Sequence, residues 1–360
     1  MVNIFLNRKV IVTGHTGFKG SWLSIWLHSL GAKVYGISDK IPTTPSHFEA
    51  ASIASLVTDY RIDIKSFEEL NKTICQIEPD FVFHLAAQPL VRYSHENPKL
   101  TWEVNTFGTI NVLESLRNLS NNCVAIFVTS DKVYDNLEWE WGYREDDKLG
   151  GADPYSASKA GAEVAISSYV RSYFPKDGNI RIGIGRAGNV IGGGDWALDR
   201  IIPDCVRAWS IGESVALRNP HSTRPWQHVL EPLGGYLTLA KNLFQKDDLH
   251  GEAFNFGPNS KFNYSVLALV KSMSKFWDKV KYEDVTEITS GPKESLLLKL
   301  NCDKALYHLD WIPILDFNET VKFTIDWYKL YFENSINSEQ ILKLTKSQIE
   351  DYVNLSNKIK

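Results

Sequence analysis

The sequence predicts an α/β fold: a Rossmann-type doubly wound parallel sheet with a smaller mixed α/β substrate-binding lobe. Three observations predict it. Short β-branched runs alternate with longer amphipathic stretches through the first half of the chain, the signature of right-handed βαβ units. A glycine turn joins the first such run to the first amphipathic stretch. After Ile191 the rhythm breaks at Gly192-Gly193-Gly194 and several prolines, where the smaller lobe begins.

Residues 9–13, 33–38, 60–64, 80–85 and 124–130 read as strands, and 20–30, 66–78, 101–118 and 155–174 as helices. Residues 181–190 read as a sixth strand, nearly all apolar or small, as a strand buried on both faces should be. Residues 1–190 then form the dinucleotide-binding domain, with segments from about 226–257 returning to it. Residues 191–335 form mainly the substrate lobe, and 336–360 a polar helical tail with no assigned role.

The 360 residues suffice for two domains or one with a large lobe. Hydrophobic residues make up 43% and charged residues 23%, ordinary for a globular chain. The net charge of −4 gives no electrostatic argument for nucleic acid or an anionic membrane. No apolar run reaches the ~20 residues that span a bilayer. Residues 1–12 lack signal-peptide architecture and lead straight into the glycine motif. Cys75, Cys123, Cys205 and Cys302 are scattered without a C-x-x-C pair, so neither a metal site nor a dithiol is expected. Reduced thiols fit a cytoplasmic protein.

Val10-Ile11-Val12-Thr13-Gly14-His15-Thr16-Gly17-Phe18-Lys19-Gly20 is a strand, a G-x-x-G-x-x-G turn and a helix start. Gly14 permits the tight turn, Gly17 lets the backbone approach a pyrophosphate, and Gly20 lets the helix sit close to the strand. The helix N-terminus offers unpaired N–H groups to phosphate. An acid at the end of the second strand grips the adenosine ribose of NAD. Asp39 stands about one residue late and Ser38 occupies the expected place, while Lys40 could instead face a 2′-phosphate. NAD is favoured over NADP. Asp63 and Ile64 are placed to meet the adenine edge, and Leu85, Ala86 and Ala87 form a small-residue segment passing the cofactor.

Tyr155 and Lys159 lie four apart on a predicted helix, hence on one face. An ammonium beside a phenol lowers the phenol's pKa and prepares it to take a hydroxyl proton while hydride leaves the same carbon. Ser130-Asp131-Lys132 follows the fifth strand, at the carboxyl end of the sheet. Ser130 can hydrogen-bond the reacting hydroxyl. Asp131 and Lys132 exceed what a plain dehydrogenase needs: elimination of water calls for a base at the acidic C–H and an acid at the departing hydroxyl.

Several segments carry a resemblance: 13–20, Ala86 to Arg92, Thr129 to Lys132, Trp141 to Glu145, Arg186 to Trp196, and Arg218 to His228. On these the chain, from about Lys9 to Trp327, resembles the extended short-chain dehydrogenase/reductase family, and within it the CDP-glucose 4,6-dehydratase subgroup. Related sugar-nucleotide dehydratases usually carry glutamate where Lys132 stands, so lysine there resembles the CDP-glucose subgroup.

The resemblance implies a cycle. Tyr155 deprotonates the glucose 4-hydroxyl as hydride leaves C4; Lys132 takes the C5 proton while Asp131 helps water leave C6; hydride then returns to C6 and C5 is reprotonated. It also implies that Asn189 and Arg224 meet the diphosphate, and that the chain forms a homodimer through helices 101–118 and 155–174. Arginine suits a diphosphate because its planar fork binds phosphate oxygens in pairs, and Arg200 and Arg218 share that lobe. His228 could pack on the base or ribose, or in the core. Gln88 and Arg92 could reach the sugar hydroxyls, whereas His84, inside an apolar strand, reads as a core histidine. The aromatic run Trp139-Glu140-Trp141-Gly142-Tyr143 is left as a lid or a dimer contact. Two other readings stay open: a sugar-nucleotide 4-epimerase, which would not need Asp131 and Lys132, and a non-catalytic dinucleotide-binding module.

Overall fold

In the computed structural model, residues 3–259, 263–285, 297–333 and 337–359 are described. Seven parallel strands form the main sheet: β1 Lys9–Thr13, β2 Lys33–Ile37, β3 Thr58–Tyr60, β4 Phe81–His84, β5 Cys123–Val128, β6 Ile180–Ala187 and β7 Ala253–Phe256. Their spatial order is β7-β6-β5-β4-β1-β2-β3. The order reverses between β1 and β4, and such a switch point opens a ligand crevice beyond the carboxyl ends of the strands.

Alternate residues of the central strands feed two cores. Val10, Val12, Phe81, Phe83, Val124 and Ile126 face one layer. Ile11, Val82, Ala125, Phe127, Ile182 and Ile184 face the other. Both faces are covered, which is why these strands read as continuous apolar runs. Helices Phe67–Ile77, Gly108–Arg117 and Pro154–Tyr173 cover the second face. Helices Phe18–Ser29 and Leu230–Gln245 cover the first. In β6, Gly183 and Gly185 stand where a Cβ would come within 2.7 Å of Leu243 and 2.6 Å of Tyr236, so the latter helix packs directly on the strand.

Three expectations are corrected. The third strand spans Thr58–Tyr60, not 60–64. Ile62 and Ile64 are buried beyond it, and their apolar character serves helix packing: Gly108 sits against Ile64. The helix expected over 101–118 is three pieces, Pro98–Trp102, a wide π-type turn Glu103–Phe107, and Gly108–Arg117. In that turn Asn105 points inward, donating to the Gln88 carbonyl at 3.1 Å and to Ser158 Oγ at 2.9 Å. The sixth strand ends at Ala187, and Val190–Ile191 instead pairs with Gln227–His228.

The smaller lobe holds helix Ile201–Ser210, the parallel pair Val215–Leu217 with Tyr282–Asp284, and the antiparallel pair Thr223–Arg224 with Tyr264–Ser265. The terminal helix Ser338–Ile359 packs into the main core through Ile341, Thr345, Ile349 and Tyr352. The Tyr352 hydroxyl donates to Glu231 Oε2 at 3.0 Å, and its ring meets Trp26 edge-on. The polar composition of this segment is mostly that of its outer face, although Thr345 and Gln348 are buried on the inner one.

Candidate active site

The glycine turn is built by close approach. Gly14 has φ +74°, and a Cβ there would lie 2.8 Å from the Ala86 backbone; at Gly20 it would lie 2.1 Å from the Gly14 carbonyl oxygen. At Gly17, which caps helix Phe18–Ser29 without a side chain, a Cβ would meet only the Gly14 oxygen, at 3.3 Å. The turn therefore leaves its helix N-terminus open to a phosphate, and these residues fit a dinucleotide. Thr16 braces it by donating to the Lys40 carbonyl at 2.7 Å.

His15 shapes the loop. Its ring nitrogens meet Asp59 Oδ1 at 2.9 Å and Ser38 Oγ at 3.1 Å, and burial lowers its pKa. Ser38 is thereby occupied at the end of β2, and Asp39 next to it is half exposed beside Lys40. Asp63 caps its own turn through the Lys65 N–H. Ile64 packs in the core, and Asn111 holds its carbonyl. Thr13 Oγ1 accepts from the N–H groups of Leu85 and Ala86, fixing the segment through Ala87 beside the turn. His84 lies between Thr13 and Thr109 with its pKa lowered to about 3 by burial, a core histidine.

The catalytic candidates converge at the end of β5. Ser130 Oγ donates to Asp131 Oδ1 at 3.0 Å, accepts from the Lys132 N–H at 3.2 Å, and lies close enough to the Tyr155 phenol to draw its pKa down. Asp131 is buried, and burial raises its pKa against the opposing pull of Lys132, Ser130, Lys19 and Arg224. It fits against Gly188, where a Cβ would come within 2.6 Å of Oδ2. The lowering expected for Tyr155 is corrected: burial raises its pKa, Ser130 and Arg200 draw it down, and Asp131 and Asp153 push it up. Lys159 Nζ donates to the Val128 carbonyl at 3.2 Å; burial lowers its pKa to about 8 while Glu163 raises it. Lys19 reaches the same neighbourhood, its pKa lowered to about 8 by burial, Arg200 and Lys159 against Asp131 and Asp195.

The substrate candidates divide. Arg224 lies close enough to Asp131 to act on its charge, and Arg200 close enough to act on Tyr155 while donating to Asp195 at 2.9 Å. Arg92 and Arg218 both approach Asp199 Oδ1, at 2.7 and 3.7 Å. The Asn189 carbonyl accepts from the Gln227 N–H. Gln88 is engaged internally: its amide donates to Leu90 O and Thr101 Oγ1, and its oxygen accepts from the Leu90 N–H. His228 is fully buried, edge-on to Trp22 and Phe323, with its pKa lowered to about 3. Both side chains thus support the site from within rather than face it. Trp139 stacks on Tyr143, which stacks on Tyr134, a ladder that no sequence spacing announced.

Sequence reasoning missed one group of residues altogether. Glu163 and Arg186 are buried together, and Arg186 also donates to the Tyr134 hydroxyl and the Glu145 carbonyl, both at 2.8 Å. Charged residues within two apolar segments were the available signal.

A glycine turn on β1, a tyrosine and lysine on one helix face, and a serine–aspartate–lysine loop between them define an extended short-chain dehydrogenase/reductase of the epimerase and dehydratase type. The chain belongs to this family: the model described as GDP-mannose 4,6 dehydratase matches residues 11–324. The CDP-glucose 4,6-dehydratase of Salmonella typhimurium is 43% identical over 98% of each chain. The dTDP-D-glucose 4,6-dehydratase of Bos taurus is 28% identical over 73% of this chain and 72% of its own. Among solved structures, a UDP-glucose-4-epimerase from Stenotrophomonas maltophila with bound NAD superposes with a TM-score of 0.79 at 18% identity, covering 91% of this chain and 100% of its own, a likeness of fold. Among the described residues no helix is long and apolar enough to cross a membrane.

Proposed function

We propose that the chain is a CDP-glucose 4,6-dehydratase that converts CDP-D-glucose to CDP-4-keto-6-deoxy-D-glucose. The observation that carries this reading is the Ser130-Asp131-Lys132 loop meeting Tyr155 at the end of β5, in a chain 43% identical to a CDP-glucose 4,6-dehydratase. The glycine turn would hold NAD, with Asp39 or Ser38 toward its ribose, and the bound cofactor would supply a hydride acceptor for C4 and a donor for C6.

The residues divide the remaining chemistry. Tyr155, paired with Ser130, takes the proton of the sugar 4-hydroxyl, and nearby Arg200 favours the phenolate. Oxidation at C4 makes the C5 proton acidic, and the Lys132 amine removes it. Asp131 holds its proton more firmly than an exposed carboxyl does, which suits protonation of the departing 6-hydroxyl. Arg224 and Asn189, with Arg200 and Arg218, are the donors this reading assigns to the diphosphate, and Arg92 to the sugar hydroxyls. Gly188, against which Asp131 rests, also lines a small cavity with Pro225, Gly257 and Leu300. A homodimer through helices 98–117 and 154–173 is part of this reading: Phe107, Val164 and Tyr173 are exposed on them.

The experiment incubates the protein with NAD and CDP-, dTDP-, GDP- and UDP-sugars, with mass spectrometry of the products. Loss of one water from CDP-glucose supports the reading. Conversion to a C4 epimer without loss of water would replace it with the epimerase reading.

A further inference from the structure

The buried pair of Glu163 and Arg186 does work that none of the roles above requires. Glu163 follows Lys159 by one turn of helix Pro154–Tyr173, on the same face. The two side chains grip consecutive residues at the end of β5: Lys159 Nζ donates to the Val128 carbonyl at 3.2 Å, and Thr129 Oγ1 donates to Glu163 Oε1. Ser130 is the next residue. From the other side Arg186 Nε donates to both carboxylate oxygens, at 2.9 and 3.0 Å. Glu163 and Arg186 are each 3% exposed, so the carboxylate sits in low dielectric with its geometry fixed from two strands.

We propose that Glu163, locked by Arg186 and Thr129, is a positioning residue that keeps the Lys159 amine charged and aimed at the strand end carrying Ser130. Of the other charged groups packed here, Asp131 after β5 acts on Lys19 and Tyr155. Lys19, at the start of the first helix, is a cation coupled to Lys159, and His84 on β4 is held neutral by burial. On the flanking helices Glu103 pairs with Lys99, and Glu114 with Arg117 and Tyr169. Glu163 is the group that raises the lysine against burial. The inference rests on the catalytic reading only for its consequence for rate.

The test titrates Lys159 directly. In protein labelled with carbon-13 at lysine Cε and loaded with NAD, the Lys159 resonance is assigned by its loss in Lys159→Arg, and its midpoint is followed with pH. In the double variant Glu163→Gln with Arg186→Gln, which removes both charges and leaves no orphaned ion, the midpoint is expected to fall by about one pH unit or more. Glu163→Asp keeps the charge; its midpoint is expected near the wild-type value while the melting temperature drops. A folded double variant with an unmoved midpoint would overturn the proposal. So would a midpoint displaced in Glu163→Asp, which can be read even if the double variant does not fold. No step needs turnover, so the outcome is independent of the sugar nucleotide.

Discussion

Gly188 is the wall against which the Asp131 carboxyl rests: a Cβ there would stand 2.6 Å from Oδ2. The contact ties the strand end of β6 to the loop after β5 and fixes the carboxyl relative to Ser130. Gly188→Ala is therefore expected to displace Asp131 while leaving the sheet intact. A shift near 1 Å costs about 100-fold in rate. Dehydration of CDP-glucose should fall by roughly 10–100-fold with the melting temperature nearly unchanged, measured by product formation and thermal unfolding.

Lys132 and Tyr155 are expected to fail at different steps. Lys132→Met should reduce water loss by about 100-fold or more, the usual contribution of a general base, while substrate still generates the near-ultraviolet absorbance of reduced cofactor. Tyr155→Phe should suppress that absorbance itself. Stopped-flow absorbance beside product analysis separates the two.

Arg224 lies near enough to Asp131 to act on its charge, and the proposed reading has it meet the diphosphate. Arg224→Gln is expected to raise KM for the sugar nucleotide by about 10–100-fold, the equivalent of one charge-assisted hydrogen bond of roughly 1.5–3 kcal/mol. Initial-rate kinetics check it.

Glu231 joins three elements: its carboxylate accepts from the Ile314 and Leu315 N–H groups and from the Tyr352 hydroxyl. Burial raises its pKa from 4.5 to about 7. A carboxyl whose folded pKa is raised stabilises the fold fully below its unfolded pKa, and that contribution is lost as pH rises through the folded value. Relative to Glu231→Gln, the wild-type protein should lose about 3 kcal/mol of stability between pH 4.5 and 7. Denaturant unfolding of both proteins across that window measures it.

The sheet was legible because its strands are apolar on both faces, and the glycine turn because only glycine fits at Gly14 and Gly20. Tyr155 and Lys159 were legible from helical spacing, and Ser130 to Lys132 from their place after a buried strand. The break in helix 98–117 was not, because it depends on Asn105 finding Gln88 and Ser158 from distant segments. Gln88 read as a ligand, and His228 as either a ligand or a core residue, because polar residues look alike in sequence whether their partners are a substrate or the protein's own interior. Glu163 and Arg186 stayed hidden because each charge within its apolar segment has no visible partner until the fold brings the other beside it.

The central claim is that hydrogen taken from C4 is delivered to C6 of the same sugar after elimination. The direct measurement supplies CDP-glucose deuterated at C4 and locates the label in the product by mass spectrometry and NMR. The account predicts deuterium at C6 of the 4-keto-6-deoxy product. Deuterium returned to C4, or lost to solvent with C6 unlabelled, would contradict it.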